Sequence, residues 1–130
     1  MADSTRHVLV VAGRTARSAA LREVLLARAA AGPAEFTLLV PDADGEEGGG
    51  PPQRLLDAVE QLRAAGLDVA GQLGDPDPLL AVSQVWDPCE FDEVVVSTYP
   101  PGRSRWLALD LPGRVERVTG VEVRRVVADR

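Results

Sequence analysis

Unbroken apolar runs constrain this chain most: Val8-Leu9-Val10-Val11-Ala12 near its start, and Val94-Val95-Val96 well beyond its middle. A strand with one wet face alternates apolar and polar residues, so runs without alternation read as strands covered on both sides. Phe36-Thr37-Leu38-Leu39-Val40 repeats the pattern, and Pro41-Asp42 stops it. Strands covered on both faces require helices on both faces, and the intervening segments have the spacing to supply them.

Ser18 is placed to cap a helix whose Leu21, Val24, Leu25 and Ala29 share one face, ending near Gly32-Pro33. A second helix is expected from about Gln53 to Ala65, with Leu55, Val59 and Leu62 at helical spacing and Gly66 ending it in a left-handed turn. Residues 41–52, rich in Gly, Pro, Asp and Glu, read as a flexible loop. Leu67 to Leu73 reads as a strand toward an edge, because Gly71 and Gln72 interrupt it. The Asp-Pro pairs of Gly74-Asp75-Pro76-Asp77-Pro78 start a third helix, with Leu79, Val82 and Trp86 as its stripe and Asp87-Pro88 as its end.

Phe91 to Ser97 gives a fourth strand, expected beside the first. A long loop from Thr98 to Asp110 leads to a short helix with Val115 and Val118, and Val121 to Val127 closes the chain as a fifth strand. The alternation predicts a doubly wound parallel sheet of five strands within one domain spanning residues 1–130. Parallel crossovers are right-handed, so helices cover one face or the other.

Composition narrows the function classes. Twenty acidic against 14 basic residues give a net charge of −6, which opposes broad contact with nucleic acid or an anionic membrane surface. Met1 to His7 has no secretory-signal pattern, and no apolar run approaches the roughly 20 residues of a membrane helix, so a cytoplasmic location is expected. The lone Cys89 cannot form an internal disulfide. Ile, Lys and Asn are absent, which fits coding DNA rich in G and C, as in a high-GC bacterium. Every basic side chain is therefore Arg, and each arginine is weaker evidence for an anion clamp than usual.

Several chemistries lack their residues. His7, the only histidine, begins the first strand at the edge opposite the expected ligand edge, which disfavours a Ser-His-Asp or Cys-His site. Cys89 and His7 do not complete a four-ligand zinc set, and no metal is expected. Asp42, Asp44, Glu46 and Glu47 sit in a Gly-rich stretch that would not hold carboxylates at a fixed separation, so they read as solvated charge. The Gly13-Arg14-Thr15 turn has neither a dinucleotide-binding glycine fingerprint nor a P-loop lysine.

In sheets of this kind a ligand sits beyond the carboxyl ends of the strands, where the winding reverses. If the first and fourth strands are neighbours, their loops converge there. One supplies Gly13, Arg14, Thr15, Arg17 and Ser18; the other supplies Ser97, Thr98, Gly102, Arg103, Ser104 and Arg105. Hydroxyls, guanidiniums and helix-start amides together could hold a phosphate or carboxylate. The alternative is that the hydroxyls cap helices and turns while the arginines stay solvated. The segment Pro100 to Pro112 likewise has two readings. It is either a packed loop ended by an Asp110 cap, or a ligand or partner loop with Arg103 and Arg105 exposed and Trp106 as anchor.

The chain resembles universal stress proteins over nearly its whole length. The similarity is carried by the opening strand, the acidic stretch after the second strand, and Gly74-Asp75-Pro76 followed by Leu79-Leu80. Phe91-Asp92-Glu93-Val94-Val95-Val96 and the closing Gly120-Val121-Glu122-Val123 complete it. The resemblance implies a Rossmann-like α/β fold with strand order 3-2-1-4-5, pairing of two copies through the last strand (Val121–Val127), and a noncatalytic regulatory or ligand-binding role. Family members that bind ATP have an aspartate at the end of the first strand and G-x-x-G-x₉-G-[ST] after the fourth. Here Gly13 stands at the aspartate position, Thr15 where serine is frequent, and Ser97, Pro100 and Asp110 at the three glycines. Pro100 has no amide donor and Asp110 would repel phosphate, so ordinary ATP binding is expected to be lost or altered. The loops at Gly13, Pro41 and Gly74 could still take an adenosine. Binding of an adenine nucleotide through a modified loop is the alternative expectation, and a nucleotide-using enzyme on the same fold is a third, carried by fold analogy alone.

Overall fold

In the computed structural model, residues 5–42, 50–100, 102 and 104–128 are described. The elements in chain order are β1 (Arg6–Ala12), a 3₁₀ turn (Arg14–Arg17), α1 (Ala19–Ala31), β2 (Ala34–Pro41), α2 (Gly50–Ala64) and β3 (Val69–Gly74). They continue with α3 (Pro78–Val85), β4 (Glu93–Thr98), α4 (Arg105–Ala108), α5 (Leu111–Thr119) and β5 (Val123–Val127). All strand pairs are parallel, and the sheet order is β3-β2-β1-β4-β5. This is the order that the resemblance implies, in the doubly wound parallel sheet that the alternation predicts.

The alternation of side chains along β1 divides the core in two. Val8, Val10 and Ala12 join Leu38, Val40 and Val95 under α1 and α2, which contribute Leu21, Leu25, Val59 and Leu62. Leu9 and Val11 point the other way and join Leu39, Val94 and Val96 under α3 and α5, which contribute Ala81, Val82, Leu111 and Val115. Neighbouring residues on β1 thus sit in different cores, and from Val8 to Ala12 each is fully buried. Removing such a side chain from water is worth roughly 1.5–3 kcal/mol for each Val or Leu, which is why the run tolerates no polar residue.

The structure departs from the sequence expectation in several places; β4 starts at Glu93 rather than Phe91 and β5 at Val123 rather than Val121. Helix α2 begins at Gly50, so residues 50–52 are helical rather than loop. Pro51 and Pro52 fit there because the first-turn amides of a helix have no intrahelical partner to lose. Residues 43–49 of the expected flexible loop, including Asp44, Glu46 and Glu47, lie outside the described residues. Strand β3 starts at Val69, two residues late, because Leu67 is used to close α2. Its amide donates to the Leu62 carbonyl at 3.1 Å and that of Gly66 to Arg63 at 2.9 Å, the paired bonds of a Schellman ending. The Thr98–Asp110 loop contains the single-turn helix α4. In α5 Val115 is buried but Val118 is exposed, and the inward position one residue later belongs to Thr119, whose hydroxyl bonds the Val115 carbonyl at 2.8 Å.

The two sheet edges differ. On β3, Gly71 lets α2 lie close: a Cβ there would meet Val59 Cγ2 at 2.9 Å and Leu55 Cδ1 at 3.0 Å. On β5, Val123 and Val126 turn into the two cores, while Arg124, Arg125 and Val127 are exposed. Two of the valines in the segment expected to pair two copies are therefore internal.

At the amino ends of the strands, Arg28 of α1 clamps Glu93 at the start of β4 through two bonds of 2.9 and 2.7 Å. The hydrogen bonds from Arg28 hold the Glu93 carboxyl below the ordinary glutamate value, against an opposing push from partial burial. A carboxylate with a depressed folded pKa adds stability that is complete above its unfolded pKa and disappears as pH falls through the folded one. Stability should thus drop on acidification below about 4.5, the ordinary value. Arg28→Ala should lower stability near neutral pH by about 1 kcal/mol or less, because the pair is partly solvated. Urea titrations of both proteins across this pH range check this: the two curves should converge at low pH.

Candidate functional site

Strands β1 and β4 pair from Val8↔Glu93 to Ala12↔Ser97, so their carboxyl ends stop side by side. Beyond this point β1 feeds the face covered by α1 and α2, whereas β4 feeds the face covered by α5. The chains diverge and leave a crevice at the switch point. A cavity of about 340 Å³ occupies it. This is near the lower end of the volumes that hold small ligands, about 300–1,000 Å³.

Its walls come from four parts of the chain. The turn after β1 gives Gly13, Arg14 and Thr15, and the end of β4 gives Ser97, Thr98 and Tyr99. Ser104, Arg105 and Trp106 come from the start of α4, and Pro41, Arg54 and Pro76 close the side toward β2 and β3. Three arginines and no carboxylate line it among the described residues, on a chain whose net charge is −6. The described lining is therefore basic in composition although the chain as a whole is acidic.

The hydroxyls divide between structural and cavity-facing roles. Thr15 Oγ1 and Ser97 Oγ lie 2.7 Å apart, both residues almost wholly buried, so the bond ties the 3₁₀ turn to the end of β4. Ser18 caps α1 by accepting from the Leu21 amide at 3.1 Å. Ser104 caps α4 by accepting from the Leu107 amide at 3.1 Å, and it lines the cavity as well. Asp110, the residue at the third glycine position of the nucleotide-binding pattern, is a cap instead. Its carboxylate accepts from the Gly113 amide at 3.3 Å, and it does not line the cavity.

Of the residues singled out from the sequence, Gly13, Arg14, Thr15, Pro41, Ser97, Thr98 and Ser104 meet at this cavity. Gly74 does not: a Cβ on it would lie 2.7 Å from Ala81 Cβ and 2.8 Å from Leu39 Cδ1, so it is glycine to let α3 close onto the sheet. Gly102 adopts φ +90 in the turn before α4 and is not part of the wall. Arg103 lies outside the described residues. Arg105, also named from the sequence as a possible anion partner, and Trp106, named as a loop anchor, belong to the wall, and so do Arg54, Tyr99 and Pro76, which the sequence reading did not single out for it. Arg54 had a signal that could have found it. A helix following a parallel strand starts at the carboxyl edge of the sheet, and Arg54 is near the start of α2.

Away from this edge, no group of three or more His, Cys, Asp or Glu stands together among the described residues. Cys89 is exposed, and His7 Nδ1 is 3.6 Å from Glu35 Oε1 at the amino ends of the strands. No described helix is long and apolar enough to cross a membrane.

The buried hydroxyl pair yields a double-mutant prediction. Ser97→Ala leaves a buried hydroxyl without its partner and should cost roughly 1–3 kcal/mol. Thr15→Val with Ser97→Ala should cost less than the two single changes summed, since removing both polar groups leaves nothing unsatisfied. Equilibrium unfolding of the four proteins measures this coupling; strict additivity would show that the two hydroxyls do not depend on each other.

No protein-family model matches the sequence, and no curated protein matches it. Among solved structures, the chain is similar to a universal stress protein crystallised in complex with cAMP. The TM-score is 0.61 with 19% identity, over 93% of this chain and 96% of that one. The chain has the universal-stress-protein fold.

Proposed function

We propose that this chain is a noncatalytic ligand-binding module of the universal-stress-protein type, and that the cavity between β1 and β4 takes a small anion of nucleoside-monophosphate size. The observation that carries the proposal is the wall itself: Arg14, Arg54 and Arg105 with hydroxyls and two aromatic residues, and no carboxylate among its described residues. Guanidiniums and hydroxyls match phosphate oxygens, and the rings of Tyr99 and Trp106 offer apolar surface to a base. The similar structure with this fold was solved with cAMP, a ligand of that chemical kind. No His, Cys, Asp or Glu contributes to the described wall, which supports a binding rather than a catalytic reading.

Altered triphosphate binding is part of the same proposal. At the glycine positions, Pro100 offers no amide and Asp110 is engaged as the α5 cap. Titration calorimetry should therefore find AMP or cAMP binding more tightly than ATP. The affinity should weaken as salt is raised, because screening reduces the pull of the arginines. Arg54→Ala and Arg105→Ala should each weaken binding several-fold without unfolding the chain. No heat with any of these ligands at millimolar concentration would remove the proposal; ATP binding more tightly than AMP would restore the alternative of an adenine-nucleotide site with a modified phosphate loop.

Pairing of two copies through β5 is the second part of the proposal, and backbone groups rather than valines would carry it. As an edge strand, β5 has one side free of strand partners. Arg124 and Arg125 are exposed there, so two copies would meet with like charges close together. Sedimentation velocity should show a dimer that strengthens as salt screens this repulsion. A monomer at both low and high salt would contradict the pairing.

A further inference from the structure

Trp106 is placed unlike any other residue of the cavity wall. It sits on α4, a helix of four residues none of which is buried, and its ring packs partly against the core formed under α3 and α5. Across the crevice it faces Gly13: a Cβ built on Gly13 would touch the ring carbons Cη2 and Cζ2 at 3.4 Å. A methyl group at position 13 would just meet the ring, and a longer side chain directed toward the indole would press on it. The space that a side chain on Gly13 would enter is thus bounded by an indole supplied from the other strand's loop.

We propose that Trp106 determines the ligand class of this cavity by selecting anions that carry a flat ring, and that Gly13 is the residue that gives the indole its place. The inference rests on the cavity being an anion site, as proposed above. The neighbouring Arg105 puts a guanidinium one residue from the indole, so charge and aromatic surface come from the same turn of helix. Pro41 and Pro76 add wall without backbone amide donors. Apolar surface of this kind rewards a planar base and is indifferent to an aliphatic tail of similar charge.

The test compares AMP with ribose 5-phosphate, which keeps the phosphate and sugar and lacks the base. Both are titrated by calorimetry into the wild-type chain, Trp106→Phe, Trp106→Ala and Gly13→Leu, with circular dichroism to verify folding. The wild-type chain should prefer AMP, and Trp106→Phe should keep most of that preference. Trp106→Ala should lose AMP affinity by roughly 5- to 150-fold, the range for one base–aromatic stack, while ribose 5-phosphate binding barely changes. Gly13→Leu should lose the preference with Trp106 still present, so the test survives if Trp106→Ala fails to fold. AMP should also quench tryptophan fluorescence in the wild-type chain and not in Trp106→Ala, because the other tryptophan, Trp86, is stacked on Phe91 and is not part of the wall. An AMP preference that survives Trp106→Ala or Gly13→Leu, or an equal loss for both ligands, would overturn the role of Trp106 alone. Failure of the wild-type chain to bind either ligand would instead remove the anion site.

Discussion

The pairing of β1 with β4 is the constraint on which the site depends. These two strands are central in the sheet, and their parallel register ends with Ala12 beside Ser97. Because the chain leaves β1 toward one face and β4 toward the other, the register alone opens a crevice whose walls are the next residues of each strand. The 2.7 Å bond between Thr15 and Ser97 joins the two walls at their base. A one-residue slip would exchange the residues that face the two cores and would break this bond.

The same register explains how one short run serves both the packing and the candidate site. From Val8 to Ala12 and from Val94 to Ser97, each position of the two strands is buried. Immediately afterwards the requirement changes to polar and cationic groups, because the chain has passed out of the helix layers. The arginines of the candidate site gather there although the protein as a whole is acidic.

The parallel sheet and both helix layers were legible in the sequence because they follow from periodicity and from the handedness of parallel crossovers, whereas the strand order came with the resemblance to universal stress proteins. Leu21, Val24, Leu25 and Ala29 on α1, and Leu55, Val59 and Leu62 on α2, fall in one core as their spacing requires. Leu79, Val82 and Trp86 fall in the other. The site was legible where it follows from strand ends, at Gly13, Thr15, Ser97 and Thr98. It was not legible where a side chain reaches the crevice by tertiary packing. Nothing local marks Trp106 as facing Gly13, and Gly74 resembles a ligand-loop glycine until Ala81 and Leu39 are seen against it. Similarly, the valines near the carboxyl end look like an open apolar edge until Val123 and Val126 are found turned into the cores.

The central claim is that ligand binding is located where β1 and β4 end. Amide chemical-shift mapping by NMR during addition of AMP tests it directly. Perturbations concentrated at Gly13 to Thr15, Ser97 to Tyr99 and Ser104 to Trp106 are the predicted result. Saturable shifts confined to the β3 edge, to β5 or to the amino ends of the strands would contradict it.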